Sequence, residues 1–336
     1  MSEVHANISI FVPHIGCPNK CSFCNQRYIT GTYKAPRSTD VAKAVLAAKK
    51  SPKYNPSVTE IAFFGGSFTA INRNYMEDLL KAAAVCLENG DAKGIRISTR
   101  PDAIDDEILS LLKTYHVTAI ELGAQSLNDR VLRMNNRGHS STDVFKASEL
   151  IKKHGFELGI QMMTGLYCDS DASAVKTAKK IIEIGPETVR IYPTIVLKNT
   201  DLAALYADNI YKPQTIDEAV NLASELYSLF TENGIKVIRL GLHSIEEKAF
   251  IAGPWHPAFS ELCQSGILLK KALKLFKEKG EYIIYVNKSN VSKMIGQKRC
   301  NITFLNSHGY NCKIKIDDNI KDLELLIEKV GNTECC

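Results

Sequence analysis

Six short apolar runs, each followed by a longer amphipathic stretch, limit what this chain can fold into. The runs are Ile8 to Val12, Glu60 to Phe64, Gly94 to Ser98, Ala119 to Leu122, Glu157 to Met162 and Thr188 to Tyr192. They are rich in β-branched or aromatic residues, which suit strands. Between them, helical patterns cover Thr39 to Lys50, Asn74 to Glu88, Asp105 to Tyr115, Ser141 to His154, Ser170 to Ile184 and Thr215 to Asn233, with Asp40, Asn74 and Thr215 as capping candidates. Strand followed by helix, repeated this way, predicts a parallel sheet with right-handed crossovers. Six units fall short of the usual closed eight-stranded barrel, which leaves an open partial barrel or a doubly wound sheet. In both, ligands bind at the carboxyl ends of the strands.

At 336 residues and 45% hydrophobic content the chain can bury a full core, and its length suggests one large domain with a smaller appendage. The alternation stops after Gly241. An irregular segment, GPWHPAFSEL, follows, then a helix from about Ile267 to Lys279 and a compact βααβ-like tail. The expected division is a barrel-type domain over 1–245, a connecting or capping segment over 246–280 and a small C-terminal α/β domain over 281–336. A net charge of +5 is mildly basic, compatible with an anionic substrate but not diagnostic of nucleic acid. The N-terminus lacks the pattern of a secretory signal, and no stretch approaches the roughly 18 apolar residues of a membrane span. A cytoplasmic protein without membrane partners is expected.

Ten cysteines, three of them packed into positions 17 to 24, point to metal ligation in a reducing compartment rather than to a disulfide framework. The first strand runs into the loop CPNKCSFC, which spaces Cys17, Cys21 and Cys24 as C-x3-C-x2-C. A structural zinc site wants four ligands. No second cysteine pair follows at a suitable distance, although His14 would complete such a site. Three reduced cysteines in a turn are the bland alternative. An iron-sulfur cubane held by three thiolates keeps one iron open for a further ligand, which makes it the better match.

The C-x3-C-x2-C spacing, with the aromatic Phe23 before the last cysteine, resembles the radical S-adenosylmethionine (SAM) superfamily. That resemblance implies a [4Fe-4S] cluster on Cys17, Cys21 and Cys24, whose open iron chelates SAM. One electron then cleaves SAM to a 5′-deoxyadenosyl radical, and a reductant such as flavodoxin or ferredoxin is needed. Gly65 and Gly66 end the second strand; alone they would serve a tight turn, but beside the cysteines they resemble the glycine motif that contacts the SAM amino group. The runs STRPD, ELGAQSLNDRVLRMNNRGH and RIYPTIVLKNTDL resemble the radical SAM half of the elongator catalytic subunit over about residues 10 to 240. By this resemblance Arg100, Gln125, Gln161 and Tyr192 belong to the SAM pocket. Alternatively, Arg100 pairs with Asp102 or a helix acid, and Gln125 merely satisfies backbone groups. Ser98 stands where relatives often place an acidic residue.

The resemblance implies an α/β fold built as a partial (β/α)6 barrel of the TIM type with a small C-terminal α/β appendage. Only about 90 residues follow the barrel, without a recognisable acetyl-CoA pyrophosphate loop, so a short bacterial elongator-like branch fits better than the full subunit. The segment around Trp255 reads as a cap over the barrel mouth or as an aromatic plug. His256 and Cys263 are candidate catalytic groups for proton or hydrogen-atom transfer. The tail order resembles a minimal KH module, with Gly296-Gln297-Lys298-Arg299 in place of its GxxG loop and Lys293, Lys298 and Arg299 able to meet phosphates, although a solvated basic turn is the more common explanation of such residues. Cys335 and Cys336 read as exposed tail thiols, and Cys86, Cys168, Cys300 and Cys312 as scattered core or surface positions. The leading expectation is an enzyme acting on RNA, above all tRNA. A small-molecule enzyme like oxygen-independent coproporphyrinogen oxidase, or a non-catalytic iron-sulfur protein that binds RNA or senses iron, are the alternatives.

Overall fold

A computed structural model of the chain describes residues 6–12, 17, 20–26, 34–242 and 245–330. The candidate ligand His14 and the tail thiols Cys335 and Cys336 lie outside the described residues. Contacts divide the chain into two compact units, residues 1–215 with 229–255, and residues 216–228 with 256–336.

The first unit is built on seven strands: β1 (Ala6–Val12), β2 (Thr59–Gly65), β3 (Gly94–Thr99), β4 (Val117–Gln125), β5 (Glu157–Thr164), β6 (Thr188–Pro193) and β8 (Lys236–Leu240). They pair in chain order, every neighbour parallel, and β1 and β8 are left as the two edges of an open, curled half-barrel. The expected α/β partial barrel is therefore present, with one strand more than the six predicted. The extra strand, KVIRL, is short and carries Lys and Arg, which hid it. A two-residue strand β7 (Val196–Leu197) pairs antiparallel with β9 (Phe250–Ala252).

Period-two alternation gives each barrel strand two distinct faces. Ile61, Phe63, Ile95, Ile97, Ile120, Leu122, Ile160, Met162, Val189 and Ile191 share one face of their strands and are buried. The helices supply matching apolar residues, among them Leu79, Leu80, Leu109, Leu112, Val144, Ile151 and Ile181. The opposite strand face carries charge. Arg96 Nε lies 2.7 Å from Glu60 and its Nη2 lies 2.7 Å from Glu157, with Nη1 3.6 Å from Glu121. Arg190 grips Glu121 with two bonds of 2.6 and 2.8 Å. A Cβ on Gly159 would meet Glu121 Cγ at 2.8 Å, so the facing strand leaves room for this carboxylate.

The second unit contains the helix Phe259–Leu275, β10 (Gly280–Val286), the short helix Val291–Ile295, the helix Cys300–Ser307, β11 (Tyr310–Ile316) and β12 (Leu325–Lys329). The βααβ order is as read from the sequence. A third strand joins it, giving the order β11-β10-β12 with β11 parallel and β12 antiparallel to β10. The first helix begins at Phe259 rather than near Ile267, because Phe259, Cys263, Ile267, Leu268 and Ala272 form one buried helical face. Among the described residues, no helix is long and apolar enough to cross a membrane.

Arg96 is 1% exposed and bound to several carboxylates, so removing it strands buried negative charge. Arg96→Ala is expected to lower the unfolding free energy by about 3–5 kcal/mol, read from urea denaturation. A loss below about 1 kcal/mol would show that these ions are solvated like a surface pair.

Candidate functional site

At the carboxyl end of the barrel strands a cavity of about 200 Å³ opens, entirely within the first unit. Its walls are apolar, from Phe11, Phe23, Phe64, Met163, Ile195 and Leu197, and Cys24 lies on its lining. The polar groups reaching it are Gly65, Ser98, Gln125, Gln161, Arg190 and Tyr192 from the strands and Gln26 from just after the cysteine loop. Four of the six residues assigned from sequence to SAM binding thus meet at one cavity. Gly66 and Arg100 are not among its lining residues.

The cysteines are close enough to act on one another. Burial, with Cys21 and Cys17 adding, pushes the Cys24 thiol up to about 12. Burial and then Cys21 raise Cys17, while the Ser67 backbone, Arg100 and Arg137 oppose the rise. Among the described residues, no three His, Cys, Asp or Glu groups already form an ion-holding set. The donors nonetheless suit a cluster. Three thiols share one loop, a guanidinium donates to one of them from Arg137 Nη1 to Cys21 Sγ at 3.0 Å, and cationic neighbours favour the thiolate form.

Each remaining candidate has a definite setting. Gly65 has φ +117°, and a Cβ there would lie 2.6 Å from the Val12 carbonyl oxygen, so close approach of the first strand already demands glycine. Arg100 makes the Asp102 pair foreseen as its structural role, at 2.8 and 2.7 Å, yet its Nη1 is buried without a hydrogen-bond partner. Gln125 has φ +65°, a costly conformation for a non-glycine residue at a strand end. Its Oε1 is likewise buried without a partner. Gln161 Nε2 donates to Ser98 Oγ at 3.0 Å and to Glu121 Oε2 at 2.9 Å. Tyr192 sits beside Arg190, which hydrogen-bonds with its hydroxyl.

Other expectations are redirected. His256 and Cys263 belong to the second unit and are not among the cavity's lining residues. His256 Nδ1 accepts from the Ala258 backbone at 3.1 Å. Cys263 is 0% exposed on a helix, and burial pushes its thiol up to about 12, the setting of a core residue. Trp255 packs near Phe250, Ile195 and Leu197, as a plug would. Lys293 is tied to Asn290 at 3.1 Å and to Asp322 at 3.6 Å, so its ammonium is engaged. Lys298 and Arg299 are exposed, both with positive φ (49° and 63°), so Arg299 takes a glycine-like conformation where the second loop glycine was missing.

The sequence reading missed Glu121, Arg137, Asn135 and Arg190. Arg137 Nη2 also donates to the Gly123 carbonyl at 2.5 Å, and its Nε is buried without a partner. His139 lies behind it, with Nε2 3.3 Å from the Ala124 oxygen. The cue was that these residues fall inside the runs ELGAQSLNDRVLRMNNRGH and RIYPTIVLKNTDL.

Comparison with known proteins follows the same residues. Residues 11–181 match the Radical SAM superfamily and residues 186–267 match the Radical_SAM C-terminal domain. The chain is 26% identical over 190 residues to a tRNA uridine(34) acetyltransferase of Methanocaldococcus infernus, an alignment covering 51% of this chain and 36% of that protein. It is 32% identical over 139 residues to Elongator complex protein 3 of Homo sapiens, covering 40% and 25% respectively. The solved structure of archaeal Methanocaldococcus infernus Elp3 with an N-terminal deletion shares the fold, with TM-score 0.67 and 20% identity over 80% of this chain and 63% of that one.

Burial, then the Arg137 charge, lowers the His139 pKa from 6.5 to about 4. Between these values the unfolded chain takes up a proton that the folded chain refuses, so stability falls as pH drops through that window. His139→Gln is expected to flatten the dependence of unfolding free energy on pH between about 6.5 and about 4. An unchanged slope would show that His139 protonates freely in the folded state.

Proposed function

Because this chain belongs to the radical SAM superfamily, we propose that it cleaves SAM reductively and directs hydrogen abstraction at a base of RNA, with tRNA as the leading substrate class. The supporting observation is the gathering of Cys17, Cys21 and Cys24 with Arg137, beside an apolar cavity at the strand ends. A [4Fe-4S] cluster on three thiolates keeps one iron open and, when bound, supplies both the chelation point and the electron that splits SAM into methionine and a 5′-deoxyadenosyl radical. The chain's own groups do the rest. The unpartnered Arg100 Nη1 and Arg137 Nε are buried donors suited to the SAM carboxylate, and the Gln125 oxygen is a buried acceptor suited to its amino group. Gly65 presents bare backbone, and Phe64, Tyr192 and Met163 offer flat or soft apolar surface for adenine. The apolar walls exclude water from a reactive intermediate.

RNA is favoured by the names of the relatives, a tRNA uridine(34) acetyltransferase and an Elongator complex protein. The cavity adds a physical reason. Its guanidinium, Arg190, is bound by Glu121 and Tyr192, so it suits a neutral planar group better than a polycarboxylate such as coproporphyrinogen. Acetyl transfer is not carried over, since the chain spans 36% and 25% of those two relatives. A low-potential carrier such as flavodoxin or ferredoxin is the proposed reductant.

Anaerobic reconstitution with iron, sulfide, SAM and dithionite is expected to yield 5′-deoxyadenosine, and serine at Cys17, Cys21 or Cys24 is expected to abolish it. A fully loaded cluster that gives no 5′-deoxyadenosine would sink the enzyme reading. Comparison of modified nucleosides in tRNA from cells with and without the protein tests the substrate, with an unchanged profile counting against RNA.

A further inference from the structure

Ser22 lies between two of the cysteines and is 1% exposed, and three of its groups are hydrogen-bonded to distant chain segments. Its backbone N–H donates to the Asn135 carbonyl at 3.1 Å, and its carbonyl accepts from the Leu202 N–H at 2.8 Å. Its hydroxyl donates to Asn135 Oδ1 at 2.9 Å. Asn135 is 0% exposed. Its Nδ2 donates to the Val131 carbonyl at 2.8 Å, within its own turn, and to the Tyr167 carbonyl at 2.9 Å, beyond the end of β5. One buried amide thus ties the cysteine loop to the chain that follows two barrel strands. Two residues on, Arg137 grips Cys21 Sγ. On the other side, Asn25 Nδ2 reaches the Lys198 carbonyl at 3.4 Å.

A short loop carrying three cysteines has many conformations open to it, and without outside support it would be free to spread the sulfurs apart. Holding Ser22 by main chain and side chain prevents the spreading before any cluster arrives. We infer that Asn135 is a positioning residue for cluster ligation, acting through Ser22 to hold Cys21 and Cys24 in the arrangement that retains iron. The hydrogen bonds of the Asn135 side chain run to Ser22, Val131 and Tyr167. The inference rests on the radical SAM reading above. It differs in what it predicts: cluster retention, not the identity of the reaction.

The test compares reconstituted wild type, Asn135→Ala, Ser22→Ala and a control, Asn290→Ala, which removes an equally buried amide from the second unit. Iron release to an excess of a ferrous chelator is followed by absorbance, beside the thermal unfolding of each apoprotein. Asn135→Ala is expected to release iron at least about 10-fold faster than wild type, within the range seen when groups supporting metal ligands are lost. Ser22→Ala should fall between the two, and Asn290→Ala should match wild type. The line shape of the reduced cluster in electron paramagnetic resonance should also change in Asn135→Ala. Iron release at the wild-type rate in Asn135→Ala overturns the inference, as does equal acceleration in Asn290→Ala, which would mark a general loss of stability. If Asn135→Ala does not fold, Ser22→Ala carries the comparison, and wild-type retention in it is the overturning result. A wild type that takes up no cluster fails the radical SAM reading instead.

Discussion

The Glu121 carboxylate, caught between the guanidinium groups of Arg96 and Arg190, is the interaction on which the barrel interior depends. It sits on the central strand of seven and is 0% exposed. An isolated carboxylate there would carry a heavy desolvation penalty, offset only by partners of fixed geometry. Gly159 gives it space, Gln161 donates to it, and Glu60 and Glu157 share Arg96 with it. This charged layer fills the interior that an aliphatic core would otherwise occupy. It also spends the polarity of Arg190, so the cavity offers amides, the hydroxyls of Ser98 and Tyr192 and apolar walls.

The cysteine loop is held in a different way. Packing contributes through Phe23, which lies against Val196, Leu202 and Tyr211. Hydrogen bonds through Ser22 and Asn135 fix the backbone between two of the thiols. Three of the buried polar atoms left without partners, Arg100 Nη1, Arg137 Nε and Gln125 Oε1, lie beside the cysteines or on the adjoining cavity, while others, such as Ser148 Oγ and Asn290 Nδ2, lie elsewhere. Unsatisfied buried polar atoms are uncommon and costly, and these three are the ones the proposed function assigns to SAM.

Much of this was legible in the sequence because the signals were local. Strand runs such as Glu60 to Phe64 and the spacing of Cys17, Cys21 and Cys24 need no partner to be read. The helix start was less secure: Asn74 looked like a cap, yet Asn72 does the capping, accepting from the Tyr75 N–H. What escaped depends on distance along the chain. Arg96 reads as a solvated charge until Glu60, Glu121 and Glu157 are brought to it across neighbouring strands. Asn135 reads as a helix end, and nothing near it in sequence points to Ser22, 113 residues away. His256 and Cys263 stand out in the sequence as reactive side-chain types near an unusual Pro-rich segment; in the fold one accepts a backbone hydrogen bond and the other is buried on a helix.

The most direct test of the central claim is electron paramagnetic resonance of the dithionite-reduced, reconstituted protein, recorded before and after SAM is added. Under the proposed function, the three-cysteine loop should give a [4Fe-4S] signal whose g values shift on addition of SAM, because SAM would take the open iron. A signal that SAM leaves unchanged, in protein with a full complement of cluster, would contradict the account.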